Sequence, residues 1–119
     1  MAKPDKVYRT LVKEPGKAPE ARELTFGGIV QAVGGGFARD IHWRITPTWL
    51  WVFCDEDAPM RGDAPNLKVI ANVAAGQGTH QLIQGTVVAL TRHGGAFRSL
   101  DEKRELAAEE WLTEKAVGS

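Results

Sequence analysis

The chain has 119 residues, 43% of them hydrophobic and 25% charged, which is enough for one domain with its own core. Lysine plus arginine and aspartate plus glutamate are each 15, so the net charge is zero; this argues against both a strongly basic nucleic-acid binder and an acidic DNA mimic, and it leaves a homo-oligomer open because little charge opposes self-association. Cys54 is the only cysteine, which excludes an internal disulfide and fits a reducing compartment, and no apolar run approaches the roughly 18 residues of a membrane span.

In chain order, residues 1–6 carry no apolar signal core and read as a flexible end. Residues 7–12 alternate as a strand, Pro15 and Gly16 turn it, and residues 20–24 read as its hairpin partner. Thr25 then caps a helix whose Phe26, Ile29, Val30 and Val33 fall at i, i+3, i+4 and i+7. Gly34, Gly35 and Gly36 close that helix. They follow a helix instead of opening one, and no Lys-Ser/Thr pair comes after them, so a phosphate loop is not indicated.

Residues 37–45 alternate Ile41, Trp43 and Ile45 with Asp40, His42 and Arg44, as expected of a half-buried strand. A tight connection at residues 46–48 leads into Trp49, Leu50, Trp51, Val52, Phe53 and Cys54. This continuous apolar run, stopping at Asp55, Glu56 and Asp57, predicts a strand buried on both faces near the centre of a sheet. The three carboxylates read as a solvated turn opening a polar loop over residues 55–65. Arg61-Gly62-Asp63, the tripeptide of integrin ligands, reads there as coincidence.

Residues 66–75 predict a short helix, with a strand as the alternative because Val69, Ile70 and Val73 are β-branched, and residues 76–80 read as a loop. Residues 81–91 predict a single strand with a bulge at Gly85. Arg92, His93, Gly94 and Gly95 turn it. Ser99 with Glu102 matches a capping box for a helix with Leu100, Ala107, Ala108, Trp111 and Leu112 on one stripe and Leu106 off it. Residues 117–119 are expected to fray.

Chemistry-bearing residues are few. His42, His80, His93, Cys54, Asp55 and Asp57 show no metal-ligand spacing, and Cys54 reads as a packed core thiol. Ser99 beside His93 is better explained as the helix cap than as a nucleophile. No catalytic residue, metal or cofactor is expected. The candidate binding residues are Arg92, His93 and Arg98, a small basic tip, together with Trp43, since an exposed tryptophan makes a binding anchor.

Residues 11–17 (Leu-Val-Lys-Glu-Pro-Gly-Lys), 25–35, 52–56 (Val-Phe-Cys-Asp-Glu), 65–66, 83–88 (Ile-Gln-Gly-Thr-Val-Val) and 97–101 (Phe-Arg-Ser-Leu-Asp) occur in an order that resembles the DUF3846 family of bacteriophages and other mobile elements. The similarity runs over residues 10–112. It departs from the family at Gly27 and Gly28, where leucine and alanine are more typical, and in its four tryptophans. The resemblance implies a phage accessory protein of the host cytoplasm, without an active site. The reading is thus a single α+β domain over residues 1–119, an antiparallel or mixed sheet of about five strands with two helices packed on it. The expected function is non-enzymatic binding of a host or phage protein, with no nucleic acid and no membrane. The alternative is a small-ligand or nucleotide binder using the glycine loops and the Arg92, His93 and Arg98 tip.

Overall fold

A computed structural model describes residues 6–35, 38–40, 48–71 and 79–118. Strands β1 (Val7–Lys13) and β2 (Glu20–Thr25) form the expected hairpin, and helix α1 (Phe26–Val33) follows at once. Next come β3 (Ala38–Asp40), β4 (Leu50–Asp55), a four-residue helix α2 (Ala58–Arg61), β5 (Pro65–Ala71), β6 (Thr79–Gln84), β7 (Val87–His93), β8 (Ala96–Arg98) and helix α3 (Glu102–Lys115). The fold is α+β. All described pairings are antiparallel, and the main sheet runs β2-β1-β7-β4-β3, with β8 attached to β7. β5 and β6 pair separately as a two-stranded sheet.

Antiparallel register sorts the side chains of this sheet onto two cores. Leu11, Val87, Ala89, Leu50, Val52 and Cys54 face one way, under the β5-β6 hairpin and α3. Val12, Val88, Leu90 and Phe53 face the other, under Ile29 and Val33 of α1. The helices therefore lie on opposite faces, and β4 is buried on both sides because each face has its own cover. β4 lies near the centre of the sheet, as expected, beside β7, which holds the middle and pairs with β1, β4 and β8.

Four expectations are corrected. Residues 65–71 form a strand, the β-branched alternative, since Leu67 and Val69 alternate into the core and Lys68 faces out. Residues 81–91 are not one strand. Gly85, at φ +79°, turns the chain from the hairpin sheet into the main sheet, and a Cβ there would sit 3.0 Å from Asp63 Oδ2 and 3.2 Å from Ala58 Cβ. The loop at residues 55–65 contains α2, whose C-cap Gly62 is left-handed at φ +73°. Near the C-terminus the Val117 amide donates to Asn66 O at 2.9 Å and Ala116 bridges to Leu67, so β5 anchors residues 116 and 117, while Ser119 lies outside the described residues.

The caps divide in the same way. Thr25 Oγ1 accepts from the Gly28 amide at 3.0 Å, as expected. For α3 the cap is Asp101, whose Oδ1 accepts from the Arg104 amide at 2.8 Å; Ser99 Oγ instead accepts from the Arg9 amide at 2.9 Å and ties β1 to the entry of the helix. The bond from the Arg104 amide, helped by the Arg104 side chain, holds the Asp101 carboxyl below the usual aspartate range. A carboxyl with a lowered folded pKa contributes stability above its unfolded value and loses it as pH falls through the folded one. Asp101→Asn is therefore expected to flatten the acid limb of a melting-temperature profile, and Ser99→Ala to leave its shape unchanged.

Candidate functional site

α1 has eight residues and is about 12 Å long, whereas five strands at about 4.8 Å spacing make a sheet roughly 19 Å wide. The helix therefore covers only part of its face. On the remainder, the register brings five rings together: Tyr8 from β1, Phe26 from the first turn of α1, Trp51 and Phe53 from β4, and Phe97 from β8. Phe97 is the hub. Its ring centroid lies 4.3 Å from Trp51, 5.4 Å from Phe53, 5.5 Å from Phe26 and 6.1 Å from Tyr8.

The cluster grades from core to surface. Phe53 is buried, Tyr8, Trp51 and Phe97 are half-buried, and Phe26 is 47% exposed. Two cations lie over its rings, the Arg92 guanidinium 5.3 Å from the Trp51 centroid and Lys6 Nζ 5.3 Å from that of Tyr8. Such placements favour the cation electrostatically through the ring quadrupole.

The expected basic tip is divided by the sheet. Gly94 and Gly95 make a two-residue hairpin loop, with Gly94 at φ +60°. Arg92 opposes Phe97, and both turn toward the aromatic face; Arg98 opposes Thr91, and with His93 it faces the other side. Arg92 alone of the three belongs to the cluster. Trp43, the fourth candidate, lies outside the described residues. The three described tryptophans do not fill the core but border it, Trp49 and Trp111 on the α3 side and Trp51 on the aromatic side, each half-buried. Period-two alternation pairs Trp51 with Phe53, which was the available signal for this site. Tyr8, Phe26 and Phe97 carried none, because their meeting depends on the order of the strands.

A second polar feature sits where α1, β4 and α2 converge. Asp55 is not part of a solvated turn: its side chain is 0% exposed. Its Oδ1 accepts from the Asp57 amide at 2.8 Å, and its Oδ2 accepts from Arg61 at 2.7 Å. Arg61 also donates to Asp63 at 2.8 Å, so the Arg-Gly-Asp tripeptide closes on itself. A cleft of about 380 Å³ beside this lock is lined by Gly34, Arg61, Asp63, Gly85 and Thr86. Among the described lining residues Arg61 is the one cation, and its guanidinium already pairs with the two carboxylates of Asp55 and Asp63.

Behind the cleft, buried Lys13 donates from Nζ to Asn66 Oδ1 at 2.6 Å. Asn66 Nδ2 donates to Lys13 O and Gly85 O, both at 2.8 Å, knotting the hairpin sheet to the main sheet. Burial lowers the Lys13 pKa. A lysine with a lowered folded pKa burdens the fold below that value, and the burden lifts as pH rises from the folded toward the unfolded pKa. Urea unfolding of the native chain is therefore expected to show a stability gain over the alkaline window just below the ordinary lysine range, and Lys13→Met is expected to abolish it.

Among the described residues no group of three histidine, cysteine or acidic side chains is placed to hold a metal, and no helix is long and apolar enough to cross a membrane. Compared with protein-family models, with curated proteins and with solved structures, the chain matches none.

Proposed function

We propose that the chain is a non-enzymatic bacteriophage accessory protein that acts in the host cytoplasm by binding a host or phage macromolecule through its aromatic face. The observation that carries this reading is the five-ring cluster around Phe97, left partly open beside a short helix and capped by Arg92 and Lys6. Aromatic residues and arginine dominate the energetic centres of protein interfaces. A closed core has no use for a half-exposed Phe26 stacked on Phe97. The phage setting is supported by the ordered motifs that resemble the DUF3846 family.

The test is affinity purification from infected host cells with the native chain and with Phe26→Ser and Arg92→Glu, two substitutions at residues with surface to spare. A macromolecule retained by the native chain and lost from both variants, each still folded by circular dichroism at the assay temperature, is the expected result. Retention by all three alike places the interface elsewhere and overturns the reading.

A further inference from the structure

We infer that the aromatic face takes an acidic peptide segment of a protein, one that presents an apolar side chain to Phe26, Phe97 and Trp51 and carboxylates to Arg92 and Lys6. This rests on the binding role proposed above and names the chemistry of the partner. The chain spends most of its described arginines on its own carboxylates. Arg9 holds Glu105, Arg22 holds Glu20, Arg61 holds Asp55 and Asp63, and Arg104 holds Asp101. Arg92 and Arg98 hold no carboxylate among the described residues, and of the two only Arg92 lies on the aromatic face. The described contacts of the Arg92 side chain are the Trp51 ring and the Gly94 carbonyl at 3.3 Å. Lys6, over Tyr8, likewise has no described carboxylate.

These two charges lie on the rim of an apolar centre, where a partner's carboxylates pair with them without full desolvation, while the rings supply buried area. That is the usual anatomy of an interface. A polynucleotide fits less well. Arg98 and His93 face away, so the face offers about two phosphate contacts, and a single strand held by two contacts gains a salt slope of only about −1.4, the signature of weak binding. A carboxylate-bearing peptide needs no more than the two cations present, and the rings take its apolar side chain.

A random peptide display library selected on the immobilised chain is the probe. Enriched peptides should carry net negative charge around an aliphatic or aromatic residue, and should lose at least tenfold in affinity to Phe26→Ser. Selection on Arg92→Glu should shift the enriched set toward neutral or basic sequences, which a merely structural Arg92 does not produce. Backbone amide shifts on peptide addition should concentrate at residues 8, 26, 51, 92 and 97. Enrichment of basic peptides, an unchanged charge preference on Arg92→Glu, or no enriched peptide alongside sub-micromolar binding of an oligothymidine at 150 mM salt (about physiological ionic strength) overturns the inference. If the partner from infected cells is lost from both variants while the library yields no acidic peptides, the peptide chemistry fails and the binding face stands. If neither the partner nor the peptides respond to the variants, both fail.

Discussion

Asp55→Ala is expected to destabilise the fold by about 3 kcal/mol, measured by urea unfolding at neutral pH. The carboxylate holds two partners at once. Its side chain has no exposed surface, and it satisfies the Asp57 amide as well as the Arg61 guanidinium. Removing one member of a buried pair typically costs about 3–5 kcal/mol. The lower end applies because Arg61 is itself 40% exposed and keeps Asp63. Asp55→Asn retains an oxygen for the Asp57 amide and should cost less. The same lock explains Gly34, which caps α1 at φ +138°, where a Cβ would lie 2.5 Å from Asp55 Oδ2 and 2.7 Å from an Arg61 nitrogen. Gly34→Ala should therefore destabilise as well, and the double variant should cost less than the two separate losses together, because both strike one network. Full additivity would separate the glycine from the lock.

The parts of the fold that were legible in the sequence are those written locally. Thr25 before the Phe26, Ile29, Val33 spacing specifies α1, and Pro15 with Gly16 between two alternating runs specifies the first hairpin, whatever the rest of the chain does. The apolar run ending at Cys54 shows that β4 has a cover on each face. It does not show that β7 holds the middle, because strand order is a property of pairings far apart in sequence. Gly85 is ambiguous for the same reason: a glycine inside a β-forming run reads as a bulge, and only the separate β5-β6 pairing makes it a passage between sheets. Ser99 and Asp101 both offer a capping oxygen, and the choice between them was settled by the Arg9 amide, which lies at the other end of the chain.

The candidate site was legible only in fragments. The basic residues were visible as a cluster in sequence. Strand alternation then sends neighbours to opposite faces, so closeness along the hairpin separated Arg92 from His93 and Arg98. Arg92 instead lies over Trp51, in a ring cluster drawn from β1, α1, β4 and β8. Such a site is assembled by topology, and a period-two pattern supplies only its Trp51 and Phe53 portion.

Leu112→Ala is expected to cost about 2–5 kcal/mol, and Leu106→Ala to fall within about 0.5 kcal/mol of zero, although the two leucines lie six positions apart on the same helix. Leu112 is fully buried with Ala108 and Leu100 against Leu67, Val69 and Val87, so truncation leaves a cavity between α3 and the two sheets. Leu106 is 64% exposed and has little buried area to lose. The contrast also fixes the width of the buried stripe. Ala107 was expected on it and is exposed, so α3 presents a narrow seam of Ala108 and Leu112, flanked by half-buried Trp111. A helix held by so narrow a seam depends on each residue in it. Thermal unfolding of the two variants decides the matter: equal losses would mean that Leu106 is covered in solution, by a second copy of the chain or by a rotated α3, and a concentration series on Leu106→Ala would distinguish those two.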